Sequence, residues 1–172
     1  MSSTAGPTLA KIVVGVDSSE GSKEALTWAL RQAQLTGASV EVVIAWTAPT
    51  ASYGAPFPLP DGLDLAADAT DVAHNAVAEA RAGIAGTSSA IGPARPQATV
   101  TAVEGHPVTA LLRAAKSADL LVVGSHGHGL LAGTLLGSVS ERCVLHAPCP
   151  TVVVRSHPHQ PASVAMAHEN RS

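Results

Sequence analysis

At 172 residues the chain has the length of a single domain, and because it is 46% hydrophobic but only 2% aromatic, its predicted core consists of Ala, Val, Leu and Ile. The formal net charge of -3 and the scattered basic residues argue against a duplex-DNA-binding protein, and the scarcity of aromatic side chains argues against stacking on single-stranded nucleic acid. Two cysteines, Cys143 and Cys149, fit a reducing compartment. The sequence has no signal-peptide pattern and no apolar run of ~20 residues, so we expect a cytoplasmic protein with no membrane and no nucleic acid as partner.

Short runs rich in β-branched residues alternate with helical patterns along the chain. The predicted strands are residues 11–17, 39–46, 98–105, 119–125 and 151–155, and the predicted helices are residues 19–37, 64–86, 106–118 and 137–147. All strands but the third are nearly continuous apolar runs, which is typical of parallel strands covered on both faces. The third alternates and is predicted to lie nearer an edge. This order predicts a doubly wound α/β domain with a parallel sheet, covering residues 9–156.

Several residues mark the predicted ends of these elements. Ser19 is predicted as the N-cap of the first helix and Gly37 as its end, and Pro107 is predicted to lie in the first turn of the third helix. The Pro-rich stretch 47–62 is predicted to be a functional or mobile loop. The tail, residues 157–172, is predicted to be disordered.

The stretch GSHGHGLLAGTLLGS, which begins at Gly124, runs from the fourth strand into the N-terminus of the fourth helix. Unpaired N–H groups and the helix dipole at a helix N-terminus favour an anion, and phosphate is the expected ligand. Ser138 is predicted to be the N-cap and to offer its hydroxyl to a phosphate oxygen. The alternative is that SVSE forms a capping box in which Glu141 reaches back to Ser138. The Lys of a P-loop and the GxGxxG dinucleotide fingerprint are both missing.

Gly124, Gly127, Gly137 and Ser138 match the pattern GxxGx9G[ST] without a gap. This pattern resembles the ATP-binding members of the universal stress protein family. The resemblance covers residues 11–155 and includes the opening VGVDSSEGSKEAL and the closing GSVSERCVLHAPCPTVVVR. It implies a Rossmann-like fold, similar to the adenine nucleotide alpha hydrolases, with five parallel strands in the order 3-2-1-4-5 and helices on both faces.

The resemblance also implies an adenine nucleotide site. Asp17 and its neighbours would lie near the adenine and ribose, the backbone of Ala45 would bind the adenine edge, and the two glycine segments would bind ribose and phosphates. The implied nucleotide-binding residues are Gly15, Val16, Asp17, Ala45, Val123, Gly124, Ser125, His126, Gly127, Gly137, Ser138, Val139 and Ser140. Ile44 stands where many members have His, a departure that affects packing more than binding because the adenine contact is a backbone one.

The implied ligand is ATP with Mg²⁺ or Mn²⁺ on its phosphates, with no metal held by the protein alone. The implied partner is a second copy of the chain, paired through the last strand, TVVVR (residues 151–155). An exposed apolar edge strand favours such pairing.

Other interpretations of individual residues stay open. Asp17 could serve only the start of the first helix. His126 and His128 are interpreted as loop imidazoles that contact ligand or water rather than as metal ligands. Cys143, His146 and Cys149 lack the matched second pair of a zinc site, so Cys143 is predicted to be a buried thiol. Glu104 is interpreted as a loop carboxylate and not as a catalytic base.

No catalytic residue is predicted, because the sequence offers neither a nucleophile with its base nor a Lys or Arg matched to phosphate cleavage. The favoured function is therefore a stress-response protein that binds ATP without rapid turnover. A slow ATPase or adenylyl-transferring enzyme and a nucleotide-independent dimeric interaction protein are the alternatives.

Overall fold

The computed structural model describes residues 10–48, 64–87, 96–127 and 136–156. Strands and helices alternate strictly in these residues, as the apolar patterning predicts. They are β1 (Lys11–Val16), α1 (Glu20–Thr36), β2 (Ser39–Trp46), α2 (Leu65–Thr87), β3 (Ala98–Glu104), α3 (Pro107–Ala115), β4 (Leu120–Gly124), α4 (Ser138–His146) and β5 (Thr151–Val154). His128, nearly all of the Pro-rich stretch 47–62 and the tail 157–172 lie outside the described residues.

The strands form one parallel sheet in the order β3-β2-β1-β4-β5. This confirms both the predicted strand order and the edge position of β3. The central strand β1 is deeply buried, with Ile12, Val13 and Val14 fully shielded from solvent. A strand that is covered on both faces needs apolar residues at successive positions, which is why its sequence runs without alternation.

Helices cover both faces of the sheet. Residues of α1 and α2 pack on one face in a cluster with Ile12, Val14 and Val42, and residues of α3 and α4 pack on the other with Val13, Val43 and Leu121. Small side chains dominate the helical side of both clusters, so helices lie close to the sheet without large aromatic groups. None of the helices in the described ranges is both long and apolar enough to span a membrane.

The predicted ends of the helices agree with the structure to within one residue, except that α3 ends at Ala115 rather than at residue 118 and that the N-cap of α4 differs. Ser19 caps α1, accepting a hydrogen bond from the N–H of Ser22 (3.2 Å), and Gly37 ends it in the left-handed region with φ 78°. Pro107 is the first residue of α3. The prediction that Ser138 is the N-cap of α4 is wrong, because Gly137 takes that position and Ser138 is the first helical residue. The capping box with Glu141 is excluded by the same shift of one residue.

Candidate functional site

A crevice opens at the carboxyl ends of the strands, between β1 and β4. The pairing of these two strands runs from Ile12 opposite Leu120 to Val14 opposite Val122 and stops there. Beyond Val14, β1 continues beside β2, whereas β4 continues beside β5. From β1 the chain winds outward through β2 to β3, and it then continues on the other side of β1 with β4 and β5. The winding direction thus changes between β1 and β4, and in open α/β sheets this switch point is where ligands bind.

The crevice is a cleft of about 260 Å³. Twelve of the thirteen residues that the sequence assigned to a nucleotide site line it, which brings together segments from β1, β2, β4 and α4. They are Gly15, Val16, Asp17, Ala45, Val123, Gly124, His126, Gly127, Gly137, Ser138, Val139 and Ser140.

Ser125 is the exception, because it is 2% exposed and lies behind the cleft. Its hydroxyl is 3.1 Å from Nδ1 of His126, its N–H donates to the carbonyl of Val154 (2.7 Å), and its carbonyl accepts from the N–H of Gly137 (2.7 Å). Ser125 thus links the end of β4 to both β5 and α4. The buried hydroxyl of Ser140 adds a second link, donating to the carbonyl of Gly124.

The N-terminus of α4 opens into the cleft without a capping side chain of its own. The first intrahelical hydrogen bond runs from the N–H of Glu141 to the carbonyl of Gly137 (2.9 Å), so the N–H groups of the preceding turn have no partner within the helix. Gly137 occupies the N-cap position and has no side chain to accept from them. These donors and the positive end of the helix dipole suit an anion.

The other helices satisfy their first turns with their own side chains. Ser19 caps α1, and the carboxylate of Asp64 accepts from the N–H groups of Ala66 and Ala67 at the start of α2 (3.1 and 3.0 Å). At the start of α3, Nδ1 of His106 accepts from the N–H of Val108 (3.3 Å). Because α4 alone among the described helices begins on a glycine N-cap, the structure distinguishes its N-terminus from the rest.

One carboxylate oxygen of Asp17 accepts hydrogen bonds at the start of α1, and the other faces the segment that follows β4. Its Oδ1 accepts from both the N–H (3.1 Å) and the hydroxyl of Ser19. A Cβ on Gly127 would overlap Oδ2 of Asp17. Ser18, between Asp17 and Ser19, has φ 67°, a left-handed conformation that few residues other than glycine adopt. Asp17 therefore contacts the start of α1 and also lines the cleft, so its place is not limited to the start of the helix.

The far end of the cleft is apolar and includes residues that the sequence did not identify. Pro107 and Leu111 reach it from α3, and Val43 reaches it from β2. Ser19, which the sequence predicted only as the N-cap of α1, and Ser22 line the polar end. The pattern HPVTALL does mark α3 as amphipathic, but nothing local indicates that its first two turns face the ends of β1 and β2.

Ala45 lies just past the end of β1. The pairing between β1 and β2 ends at Val16 opposite Ile44, whereas Ala45 and Trp46 pair only with Val103 and Glu104 of β3. The side of Ala45 that would face a longer β1 therefore faces the cleft. An extended backbone edge in this position can exchange hydrogen bonds with a flat ligand.

The remaining chemically reactive residues lie away from the cleft. Cys143 is fully buried, as predicted, and desolvation raises its pKa to about 11. Burial also raises the pKa of Cys149. Glu104 is exposed at the end of β3, and within the described ranges no three His, Cys, Asp or Glu side chains gather as metal ligands would.

Residues 8–155 match the family model described as the universal stress protein family. The chain belongs to this family. A universal stress protein of Thermus aquaticus is 32% identical over 146 residues, which are 84% of this chain and 97% of that protein. A universal stress protein of Mycobacterium tuberculosis is 34% identical over 162 residues, covering 87% of this chain but 50% of the relative. The chain thus spans about half the length of the mycobacterial universal stress proteins that it matches.

Solved structures of universal stress proteins share the fold. One, solved in complex with cAMP, has a TM-score of 0.62 at 25% identity and covers 87% of this chain and 98% of its own. Another, from Arabidopsis thaliana with AMP bound, has a TM-score of 0.55 at 21% identity, covering 90% of this chain and 97% of its own. At that lower identity the likeness concerns the fold.

Proposed function

We propose that this universal stress protein binds ATP in the cytoplasm as a ligand of the stress response and holds it without rapid turnover. The observation that carries the proposal is the N-terminus of α4, where Gly137 leaves the first-turn N–H groups open to the cleft. Backbone donors aimed at an anion bind phosphate without a catalytic Lys or Arg. The free thiols of Cys143 and Cys149 are compatible with a reducing compartment.

The two ends of the cleft match the two ends of a nucleotide. The apolar end, with Val43, Leu111 and the backbone edge of Ala45, suits a purine base that needs apolar faces and an edge partner. The polar end, with Asp17 and the start of α4, suits ribose and phosphates. A family member at 25% identity binds cAMP, which supports an adenine nucleotide as the ligand class.

A divalent cation fits this site only together with the phosphates. Among the described residues that line the cleft, Asp17 has the one acidic side chain, and one carboxylate is too few to hold Mg²⁺ or Mn²⁺ by itself. Phosphate oxygens would supply the other ligands of the metal. The metal would then neutralise phosphate charge, and Asp17 would orient the complex.

The substitution Gly137→Asp tests the phosphate end. Aspartate is a good N-cap, and a Cβ at this position meets its nearest neighbour, the carbonyl oxygen of Ser125, at 3.4 Å, so the variant folds. Its carboxylate would take the first-turn N–H groups and repel phosphate. We expect the Kd for ATP, measured by calorimetry, to rise at least about tenfold, which corresponds to one charge-assisted hydrogen bond.

Gly83→Asp is the matched control, because it makes the same change at an open position in α2 that does not line the cleft, and we expect its affinity for ATP to stay near that of the wild type. Unchanged affinity in Gly137→Asp would contradict the proposed site. A wild-type melting temperature that ATP does not raise would favour a nucleotide-independent interaction protein. Release of ADP or AMP over hours, abolished by Asp17→Ala, would favour a slow enzyme.

A further inference from the structure

The N-terminus of α1 packs backbone to backbone against the end of β4. Gly21, the second residue of α1, is buried, and a Cβ placed on it would lie 2.5 Å from the carbonyl oxygen of His126. In the opposite direction, a Cβ on Gly124 would lie 2.6 Å from the carbonyl carbon of Gly21 and 3.0 Å from the nitrogen of Ser22. These neighbours are main-chain atoms, which cannot rotate away as a flexible side chain can.

Polar contacts extend this packing along the same segment. The hydroxyl of Ser22 accepts from the N–H of Asp17 (3.2 Å) and donates to the carbonyl of Ser19 (2.9 Å), which ties the start of α1 to the end of β1. The hydroxyl of Ser19 lies 3.5 Å from the carbonyl oxygen of His126. The carbonyl oxygen of His126 therefore lies against the start of α1.

The other side of the same segment leads to α4. Gly137 donates its N–H to Ser125 (2.7 Å), and Ser140 donates its hydroxyl to Gly124. One short segment, Gly124 to Gly127, thus connects the start of α1 with the start of α4. A displacement of this segment relative to α1 therefore also changes its position relative to the start of α4.

We propose that Gly21 is a positioning residue for the phosphate end of the cleft. Gly21 does not line the cleft, but its missing side chain lets α1 hold His126 and Gly127 at the separation from α4 that phosphate groups need. This inference rests on the proposed ATP binding. At an ordinary helical glycine, an added methyl group would only stabilise the helix. At Gly21 we expect it to weaken ATP binding as well.

The test compares two Gly→Ala substitutions within helices. Gly21→Ala places a methyl group against the carbonyl of His126, whereas Gly83→Ala in α2 is the matched control, since a Cβ on Gly83 has no atom within 4 Å. Calorimetry gives the Kd of each variant for ATP and for adenosine, which lacks phosphates. We expect Gly21→Ala to weaken ATP binding about tenfold and to leave adenosine binding at the wild-type value. Gly83→Ala should leave both unchanged.

The ratio between the two ligands distinguishes positioning from a general loss of structure. Wild-type ATP affinity in Gly21→Ala, or equal weakening of ATP and adenosine binding, would overturn the inference. If the wild type itself does not bind ATP, the proposed function fails first. If the wild type binds ATP and Gly21→Ala does so equally well, only the role of Gly21 fails.

A measurement on the wild type covers the case in which Gly21→Ala does not fold. With ¹⁵N-glycine labelling, titration with ATP should shift the amide resonance of Gly21, and titration with adenosine should not. The resonance of Gly83 is the internal reference and should respond to neither ligand. The proposal would be contradicted if the chemical shift of the Gly21 amide did not change with ATP, or if it changed with adenosine as much as with ATP.

Discussion

Gly15 and Leu111 form a contact that sets the depth of the apolar end of the cleft. A Cβ on Gly15 would lie 3.0 Å from both Cδ atoms of Leu111, and Leu111 is only 4% exposed. The sequence interpretation assigned Gly15 to the wall around adenine and ribose. In the structure, its missing side chain makes room for a leucine from α3, so the leucine itself forms much of that wall.

Substituting Gly15 by alanine should therefore act through Leu111. Because the neighbour is the end of a side chain, it can rotate, and the cleft that Leu111 lines offers open space. We expect Gly15→Ala to fold and to bind ATP severalfold more weakly. Leu111→Ala should lower the free energy of unfolding by about 2 to 5 kcal/mol through the cavity it leaves.

The double variant tests the coupling between the two positions. In Gly15→Ala with Leu111→Ala, the new methyl group occupies part of the cavity, so we expect less destabilisation than the sum of the single effects and a recovery of ATP affinity relative to Gly15→Ala. Urea denaturation and calorimetry measure the two quantities. Strict additivity in both would show that the contact does not control the cleft.

At the scale of elements, α1 illustrates how local signals define a helix that also serves the site. Its apolar residues at helical spacing are all buried, namely Ala25, Leu26, Ala29, Leu30 and Ala33. Ser19 and Gly37 were both predicted, because a cap interacts only with residues that are close to it in the sequence. The contact of its second residue with β4 was not predicted, since it joins residues about a hundred positions apart.

Two glycines in or next to helices should respond to alanine with opposite signs. Gly37 ends α1 at φ 78°, and a Cβ placed on it would have no atom within 4 Å. Gly37→Ala therefore introduces backbone strain but no clash. We expect it to lower the free energy of unfolding by about 1 kcal/mol. Gly83 has the same open surroundings but lies within α2, and Gly83→Ala should gain about 0.5 to 1 kcal/mol. Urea denaturation of both variants measures the difference. Equal signs would contradict the left-handed cap.

At the scale of the whole molecule, β5 is the last strand of the sheet on one side in the part of the chain that the structure describes. The N–H of Leu121 bonds to the carbonyl of Pro150, and that of Ser125 bonds to the carbonyl of Val154. Because backbone groups alternate sides along a strand, Thr151 and Val153 direct theirs away from β4. The exposed side chains of Val144 and Leu145 on α4 add apolar surface. We propose that a second copy pairs along this edge.

Val153→Pro tests this homodimer. Proline removes an N–H that faces outward and leaves the bonds between β4 and β5 intact, which is the arrangement in which an edge strand tolerates it. We expect light scattering after size exclusion to give a dimer mass for the wild type and a monomer mass for the variant. Circular dichroism should show that Val153→Pro remains folded. A folded variant that is still dimeric would place the interface elsewhere.

The sequence by itself was sufficient for the fold class, the order of the elements and most of the cleft. Hydrophobic runs, caps and the spacing of Gly124, Gly127, Gly137 and Ser138 are local properties, and with the family resemblance they predicted twelve residues that line one cleft. The error at α4 was also local in origin, because Gly137 and Ser138 are both acceptable N-caps and only the backbone conformation of Gly137 decides between them.

Only the tertiary structure decided what each glycine faces. Gly15 faces Leu111, Gly124 faces the backbone of Gly21, and Gly127 faces Asp17, so three positions that had been linked to the nucleotide also have neighbours within the protein. Strand register and helix docking bring these partners together across the sheet, and neither leaves a mark in the sequence near the glycines. For the same reason the sequence did not reveal that Pro107 and Leu111 line the cleft or that Gly21 contacts the end of β4, since these positions depend on how α3 and α1 pack on the sheet.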